Sequence, residues 1–332
     1  MKKIVSIVLV LVILSVMPLT LAGCQREEDE RVIRLNEVTH SIFYAPQYLA
    51  LALGYFEDAG ITIELTNGAG ADNTMTALLT GEADVGLMGP ESAIYVYLEG
   101  RQNYAKVFGQ LTKRDGSFLV GRTAQEDFDW TGLEGKEILM GRRGGMPAMI
   151  LQYILNQNGY QDGVNITMNY DVQFGLLAGA FTGGLADYVP LFEPVASTIQ
   201  SENQGYIVTG IGLASGEIPY TCYIATQSYI SENGQLLTDF LDCIYRATQY
   251  LNSHDNTHLA QLLEPYFVGT DVEMIALALD NYKTYDTWMT TPVMQETSWN
   301  RLLDILENAG ELESRVEFED LVDNSLAQLV SQ

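Results

Sequence analysis

Two kinds of charged side chain stand where a strand gives way to a helix, and each suits a different ligand. Arg142-Arg143-Gly144-Gly145 follows a strand expected over Glu137 to Met140 and leads into a helix expected from about Ala148 to Asn156. Guanidinium forks beside the free N–H groups of a helix start make the strongest anion-binding candidate in the chain. The same arginines would equally serve to neutralise acidic neighbours. Glu91, in Gly89-Pro90-Glu91-Ser92, and Glu193, in Phe192-Glu193-Pro194, hold the corresponding positions after two other strands. A carboxylate in a partly closed cleft accepts hydrogen bonds from amino groups and disfavours a free anion, although a Glu in the first turn of a helix is also an ordinary dipole partner. His40, Phe43, Tyr44, Tyr188 and Phe192 fall on the same expected rims, where flat rings could sandwich a heterocycle or simply pack. Glutamates with aromatics tilt the reading toward a small nitrogen heterocycle over a bare sulfonate or nitrate.

No catalytic constellation is evident, so neither catalytic residue nor cofactor is expected. His254 and His258 stand four apart on an expected helix, but the glutamate of a zinc-protease motif is missing between them, and a solvated pair with no metal is the better reading. The run from Asn67 to Asn73 is rich in glycine yet lacks both the dinucleotide fingerprint and the Gly-Lys-Ser/Thr of a P-loop.

These side chains need a scaffold of alternating strands and helices. A strand over Val32 to Val38 ends in Thr39-His40-Ser41, and Pro46 sits in the first turn of a helix closed by Gly54. Ile61 to Leu65 alternates apolar with polar, as a half-buried strand does. A helix over Thr74 to Leu79, a strand over Asp84 to Met88 and a helix from Pro90 to Leu98 follow. Three strands thus end in three loops at one edge, where open α/β sheets place ligands; Thr39, Gly70 and Ser92 lie on those loops. The β-loop-α plan repeats after strands at Lys106 to Leu111 and Phe118 to Gly121: strands at Ile166 to Tyr170 and Ala186 to Pro190 flank a helix at Gln173 to Phe181. The last third reads as helices over Gly234 to Leu251, Thr257 to Tyr266, Thr270 to Thr284, Pro292 to Asn308 and Glu317 to Val330. Thr270-Asp271-Val272-Glu273 matches a capping box, and Gly310 suits a C-cap.

The order Tyr44-Ala45-Pro46-Gln47-Tyr48-Leu49-Ala50, then Leu53-Gly54-Tyr55-Phe56-Glu57 and Gly60-Ile61, resembles the first motif of SsuA/THI5-like solute-binding proteins of ABC importers. That group handles thiamine pyrimidine precursors, sulfonates, taurine and nitrate. Leu79 to Gly86 and Phe192-Glu193-Pro194 agree with it, and the resemblance covers essentially the whole chain after residue 31. It implies a two-lobe α/β fold of the type II periplasmic-binding-protein kind, with ligand held between the lobes and a membrane permease and ATPase as partners. It also implies crossings between lobes near Thr112 to Ser117 and Ile218 to Thr221, so that residues 32–118 and 221–332 make lobe 1 and 119–220 make lobe 2. The same scaffold resembles eukaryotic thiamine-pyrimidine synthases, which need iron, a cysteine-rich motif and a consumed histidine. No cysteine cluster is present here, and a binding role is expected over an enzymatic one. A sensor lobe of a membrane receptor would look alike.

The amino terminus carries Lys2-Lys3, an apolar run from Ile4 to Leu19 and then Leu21-Ala22-Gly23-Cys24. This reads as a secretory leader, and its end resembles the bacterial lipobox, which implies cleavage before Cys24 and a lipid anchor on it. Residues 1–23 are then leader and 24–31 a charged tether. Removing that 23-residue leader from 332 residues leaves 309, enough for two lobes each with its own core. The leader takes two of the 17 Lys plus Arg, leaving 15 against 43 Asp plus Glu and a balance of −28. Nothing resembles a basic stripe, so nucleic acid is excluded as a partner. A monomer is expected at an extracytoplasmic address. Cys222 and Cys243 could pair there, but two buried thiols are the more economical reading.

Overall fold

The computed structural model describes residues 31–330. Ten strands are described: β1 (Arg31–Glu37), β2 (Ile61–Asn67), β3 (Val85–Met88), β4 (Ala105–Thr112), β5 (Phe118–Gly121), β6 (Glu137–Leu139), β7 (Thr167–Asn169), β8 (Tyr188–Leu191), β9 (Tyr206–Gly210) and β10 (Thr221–Thr226). They form two five-stranded sheets, β2-β1-β3-β10-β4 and β7-β6-β8-β5-β9. The two orders match position for position. Each has parallel pairing at its start, β1 with β3 and β6 with both β7 and β8. Each then takes an antiparallel strand in fourth place, β10 in the first sheet and β5 in the second. These inserted strands are the ones that follow a passage from one sheet to the other. The arrangement is an α/β fold of two mixed sheets flanked by helices, as the resemblance implied.

The two passages run side by side. Ile218 N–H donates to the Lys113 carbonyl at 3.0 Å and Tyr220 N–H to the Thr112 carbonyl at 3.2 Å, so Lys113–Ser117 and Gly216–Tyr220 are tied into one narrow waist. Ions brace it: Lys113 Nζ lies 2.9 Å from Asp286, and Arg114 lies 3.5 Å from both Glu217 and Asp286. At Gly116 the backbone presses on a ring, since a Cβ there would stand 2.2 Å from Phe43 Cε2. Phe43 is 1% exposed and cannot swing aside. Gly116→Ala therefore overpacks the waist and should cost about 1–3 kcal/mol, read as a lowered midpoint of thermal unfolding.

Local chemistry explains most element ends. Gly54, Gly81 and Gly310 close their helices in the left-handed region, at φ 71°, 76° and 76°. Several expected boundaries shift for visible reasons. The segment Tyr55–Asp58 is itself a short helix, and the helix expected from Thr74 starts at Ala71, directly after Gly70. Asp271, not Thr270, caps its helix by accepting from Met274 N–H at 2.8 Å. The helix expected from Pro292 begins at Glu296, because the Pro292 carbonyl accepts from Gln110 N–H on β4. The final helix is broken into Phe318–Leu321 and Ser325–Val330, because Val322 bridges β4 at Val107 and Asp323 N–H donates to the Val107 carbonyl at 2.8 Å. Backbone pairing with an edge strand outweighs local helix periodicity there.

The helices Gly234–Ser253 and Glu296–Ala309 bury apolar stripes, including Leu237, Phe240, Leu241 and Ile244 on the first and Trp299, Leu302 and Leu306 on the second. Cys222 and Cys243 are free and buried. Among the described residues no helix is long and apolar enough to cross a membrane. The expected leader and the lipobox at Cys24 lie outside the described residues.

Candidate functional site

The loop after β1 meets the residue after β8 across the waist, and the loop after β6 reaches the helix that follows β2. Phe43, in the turn Ile42–Tyr44 after β1, is the hub of an aromatic cluster between the sheets. Its ring centroid lies 5.6 Å from Phe192, which follows β8, 5.6 Å from Tyr220 on the second passage, and 5.3 Å from Tyr282. Tyr44, also 5.6 Å from Phe43, is buried with its hydroxyl bonded to the Thr221 side chain. Phe174 extends the cluster, 5.8 Å from Phe192 and half exposed.

Glu91 is the unusual group in this region. It opens the helix Glu91–Leu98, and its carboxyl folds back so tightly that a Cβ on Gly89 would stand 2.0 Å from Oε2. The side chain accepts from its own backbone N–H, yet Oε2 is buried with no hydrogen-bond partner. Burial pushes the carboxyl up to about 7; the field of Asp72 adds to this, and the helix-start N–H and Arg142 only partly offset it. One turn on, the Tyr95 hydroxyl is likewise buried without a partner. Ser92, beside Glu91, is buried.

The other carboxylate expected here has a different situation. Glu193 is 3% exposed and fully engaged: Oε1 accepts from Ser197 Oγ at 2.7 Å and Asn281 Nδ2 at 2.5 Å, and Oε2 accepts from Ser197 N–H at 3.0 Å. It satisfies the start of the helix Val195–Ser201 and ties it to the helix Val272–Thr284.

The basic pair also divides. Arg142 reaches from the second sheet's side to Asp72 at 3.4 Å, with both side chains exposed, an ion pair worth about 0–1 kcal/mol. Arg143 lies flat on the Tyr170 ring, 3.8 Å from its centroid. Gly144, at φ 73°, brings the loop against Glu311, whose Oε1 would be 3.0 Å from a Cβ there. Neither guanidinium joins the aromatic cluster.

His40 is held at a distance from Phe43 by its own network. Its Nε2 bonds to the Tyr266 carbonyl at 2.8 Å, and its Nδ1 lies 2.7 Å from the Tyr48 hydroxyl and 3.1 Å from Glu37. Glu37 also takes hydrogen bonds from Tyr48 and Gln47, and burial nevertheless raises its carboxyl above the ordinary range. Thr39 is exposed, and Gly70 opens the helix Ala71–Thr80 while its N–H donates to the Val38 carbonyl at 2.9 Å. Tyr188 does not join the others. It begins β8, at the opposite end of that strand from Phe192, and its hydroxyl accepts from Gln125 Nε2 at 2.8 Å.

Sequence reading did not single out Tyr220 and Tyr282, which join the cluster around Phe43: Tyr220 sat in an apolar passage, and Tyr282 on a helix whose rings recur at core spacing.

The chain matches the family model described as NMT1/THI5 like over residues 42–257. It is 37% identical over 311 residues to YtlA of Bacillus subtilis (strain 168), described as a candidate binding protein, covering 94% of this chain and 93% of that one. Among solved structures it is similar to the aliphatic sulphonate binding protein SsuA of Escherichia coli, with a TM-score of 0.71 at 17% identity, covering 88% of this chain and 97% of that chain. The nitrate-binding protein NrtA of Synechocystis PCC 6803 gives 0.70 at 13% identity, covering 91% and 89%. Those likenesses are of fold, and the sequence match is of family. The chain belongs to the NMT1/THI5-like family, whose fold is that of the solute-binding proteins of ABC importers.

Proposed function

We propose that the chain is an extracytoplasmic solute-binding lipoprotein that captures a small nitrogen heterocycle bearing an amino group, such as a thiamine-precursor pyrimidine, and delivers it to an ABC permease and ATPase. The observation that carries this reading is Glu91. Its carboxyl already occupies the helix start where a bound anion would sit, in the loop after β3, and its Oε2 is buried without a donor. An amino group supplies that donor, whereas a sulfonate or nitrate would meet a like charge. Phe192 and the half-exposed Phe174 offer the flat faces a heterocycle needs, backed by the buried rings of Phe43, Tyr44 and Tyr220. Arg142 and Arg143, the groups an anion would want, are turned to Asp72 and Tyr170.

Of the twelve residues first singled out, Glu91 and Ser92 stay in the proposed contact set, with Phe43 and Tyr44 packed behind it. Thr39, His40, Gly70, Arg142 and Gly144 become rim positions, and Arg143, Tyr188 and Glu193 become supports. The lobes are 32–118 with 221–332, and 119–220, and closure bends the paired passages between them. The role is capture and release, with no reaction. Mass spectrometry of small molecules released from the purified protein tests the ligand class: a basic heterocycle is expected, and a sulfonate would overturn it.

The anchor follows from Leu21-Ala22-Gly23-Cys24. Cys24→Ser should move the protein from the membrane fraction to the soluble fraction or leave it as an unprocessed precursor. Membrane association of the fully cleaved variant would contradict lipid attachment at Cys24.

A further inference from the structure

Asp115 is the second carboxyl with an unsatisfied oxygen at the waist. It is 4% exposed. Its Oδ1 accepts from Ser117 N–H at 2.6 Å and from Ser117 Oγ, while Oδ2 is buried with no hydrogen-bond partner. Of the cations next to it in sequence, Lys113 pairs with Asp286 and Glu217, and Arg114 turns an outer guanidinium nitrogen to Glu217 and Asp286 while its Nε is buried without a partner. Its own carbonyl is backed by Gly212, where a Cβ would stand 2.4 Å away. The next residue, Gly116, lies on the Phe43 ring. Tyr220 packs edge-on against the same Phe43 ring, so the passage that carries Asp115 and the passage that carries Tyr220 meet at that ring. A buried carboxylate oxygen left without a donor is costly, and the two Ser117 bonds to Oδ1 offset only part of the cost of burying the carboxyl.

We propose that Asp115 is a second ligand-reading carboxyl, accepting from a further donor group of the same molecule whose amino group Glu91 reads. This rests on the aminopyrimidine reading of the cleft. It deepens that reading: the ligand must carry two donors, one for a carboxyl on the first sheet's side and one for a carboxyl on the passage between sheets. Because Asp115 lies on that passage, the contact also couples occupancy to the segment that bends on closure.

The test is a cycle between ligand and protein at pH 7.5, with affinities from calorimetry. The probes are 4-amino-5-hydroxymethyl-2-methylpyrimidine and its analogue with methyl in place of hydroxymethyl. Loss of the hydroxyl should weaken binding to the unaltered protein about ten- to a hundredfold, the range of a charge-assisted hydrogen bond. Asp115→Asn keeps an oxygen for Ser117 but turns an NH₂ toward the ligand. It should weaken the hydroxymethyl compound by a similar factor and leave the methyl analogue unchanged. Glu91→Gln should weaken both alike. If Asp115→Asn fails to fold, the comparison of the two compounds on the unaltered protein still decides, and equal affinities overturn the assignment. Binding that depends on Glu91 but not on Asp115 removes the Asp115 role alone. Failure of both pyrimidines to bind the unaltered protein removes the ligand class and the Asp115 role together.

Discussion

Glu91→Gln should weaken an aminopyrimidine about ten- to a hundredfold, as the loss of a charge-assisted hydrogen bond worth roughly 1.5–3 kcal/mol requires. The substitution keeps the length of the side chain and the oxygen that accepts from the helix-start N–H. What changes is the buried, unpaired Oε2, where an amide NH₂ would face the ligand's own donor. A structural role predicts otherwise. If Glu91 served only the helix dipole, the variant would lose stability and bind as before. The account expects its unfolding midpoint at pH 8 to hold or rise, because a buried uncompensated charge disappears. The measurement is a pair of titrations with matched thermal scans, and unchanged affinity with a lowered midpoint would contradict the ligand role.

The ligand-free protein should become more stable as the pH is lowered from 8 to 5. Glu91 is raised from the ordinary 4.5 to about 7, and Asp115 from 3.8 to about 6, both chiefly by burial. A carboxyl whose folded value lies above its unfolded value binds its proton more readily when folded. Its favourable contribution is therefore complete below the unfolded value and is lost as the pH rises through the folded one. The windows are 4.5 to 7 for Glu91 and 3.8 to 6 for Asp115. At 1.36 kcal/mol per pH unit each group contributes about 3 kcal/mol, an order-of-magnitude figure. Glu37 and Glu193, also raised by burial, act in the same direction. Denaturant unfolding at pH 5, 6, 7 and 8 checks this, and Glu91→Gln should flatten the profile near neutrality. A midpoint that falls between pH 8 and pH 5 would rule out the buried-carboxyl picture. A ligand that donates to these oxygens should stabilise the protein most at the alkaline end.

The order of strands and helices was readable because each βα unit announced its ends with proline, glycine and alternating apolar residues, as at Pro46, Gly54 and Gly81. The site was less readable, for reasons that differ by residue. Glu91 and Glu193 have the same type and the same place after a strand, yet Ser197 and Asn281 engage both oxygens of one, while Oε2 of the other has no donor. Asn281 lies 88 residues from Glu193 in sequence, so no local pattern reports their bond. Arg143 looked poised for an anion until Tyr170, 27 positions on, took its face. Tyr188 was placed on the rim by a strand read two residues early; it begins β8 instead, at the end away from Phe192. Asp115 was hidden because a short stretch with Lys, Arg, Asp, Gly and Ser reads as a surface turn, whereas two passages packed together bury it.

The central claim, that the cleft takes an amino-bearing heterocycle and not an anion, is tested most directly by calorimetric titration of the intact protein at pH 7.5. The panel is 4-amino-5-hydroxymethyl-2-methylpyrimidine, taurine, an alkanesulfonate and nitrate. The account predicts saturable binding of the pyrimidine that is lost with Glu91→Gln, and none for the three anions. Tight binding of a sulfonate or nitrate that survives Glu91→Gln and is lost with Arg142→Ala would contradict it.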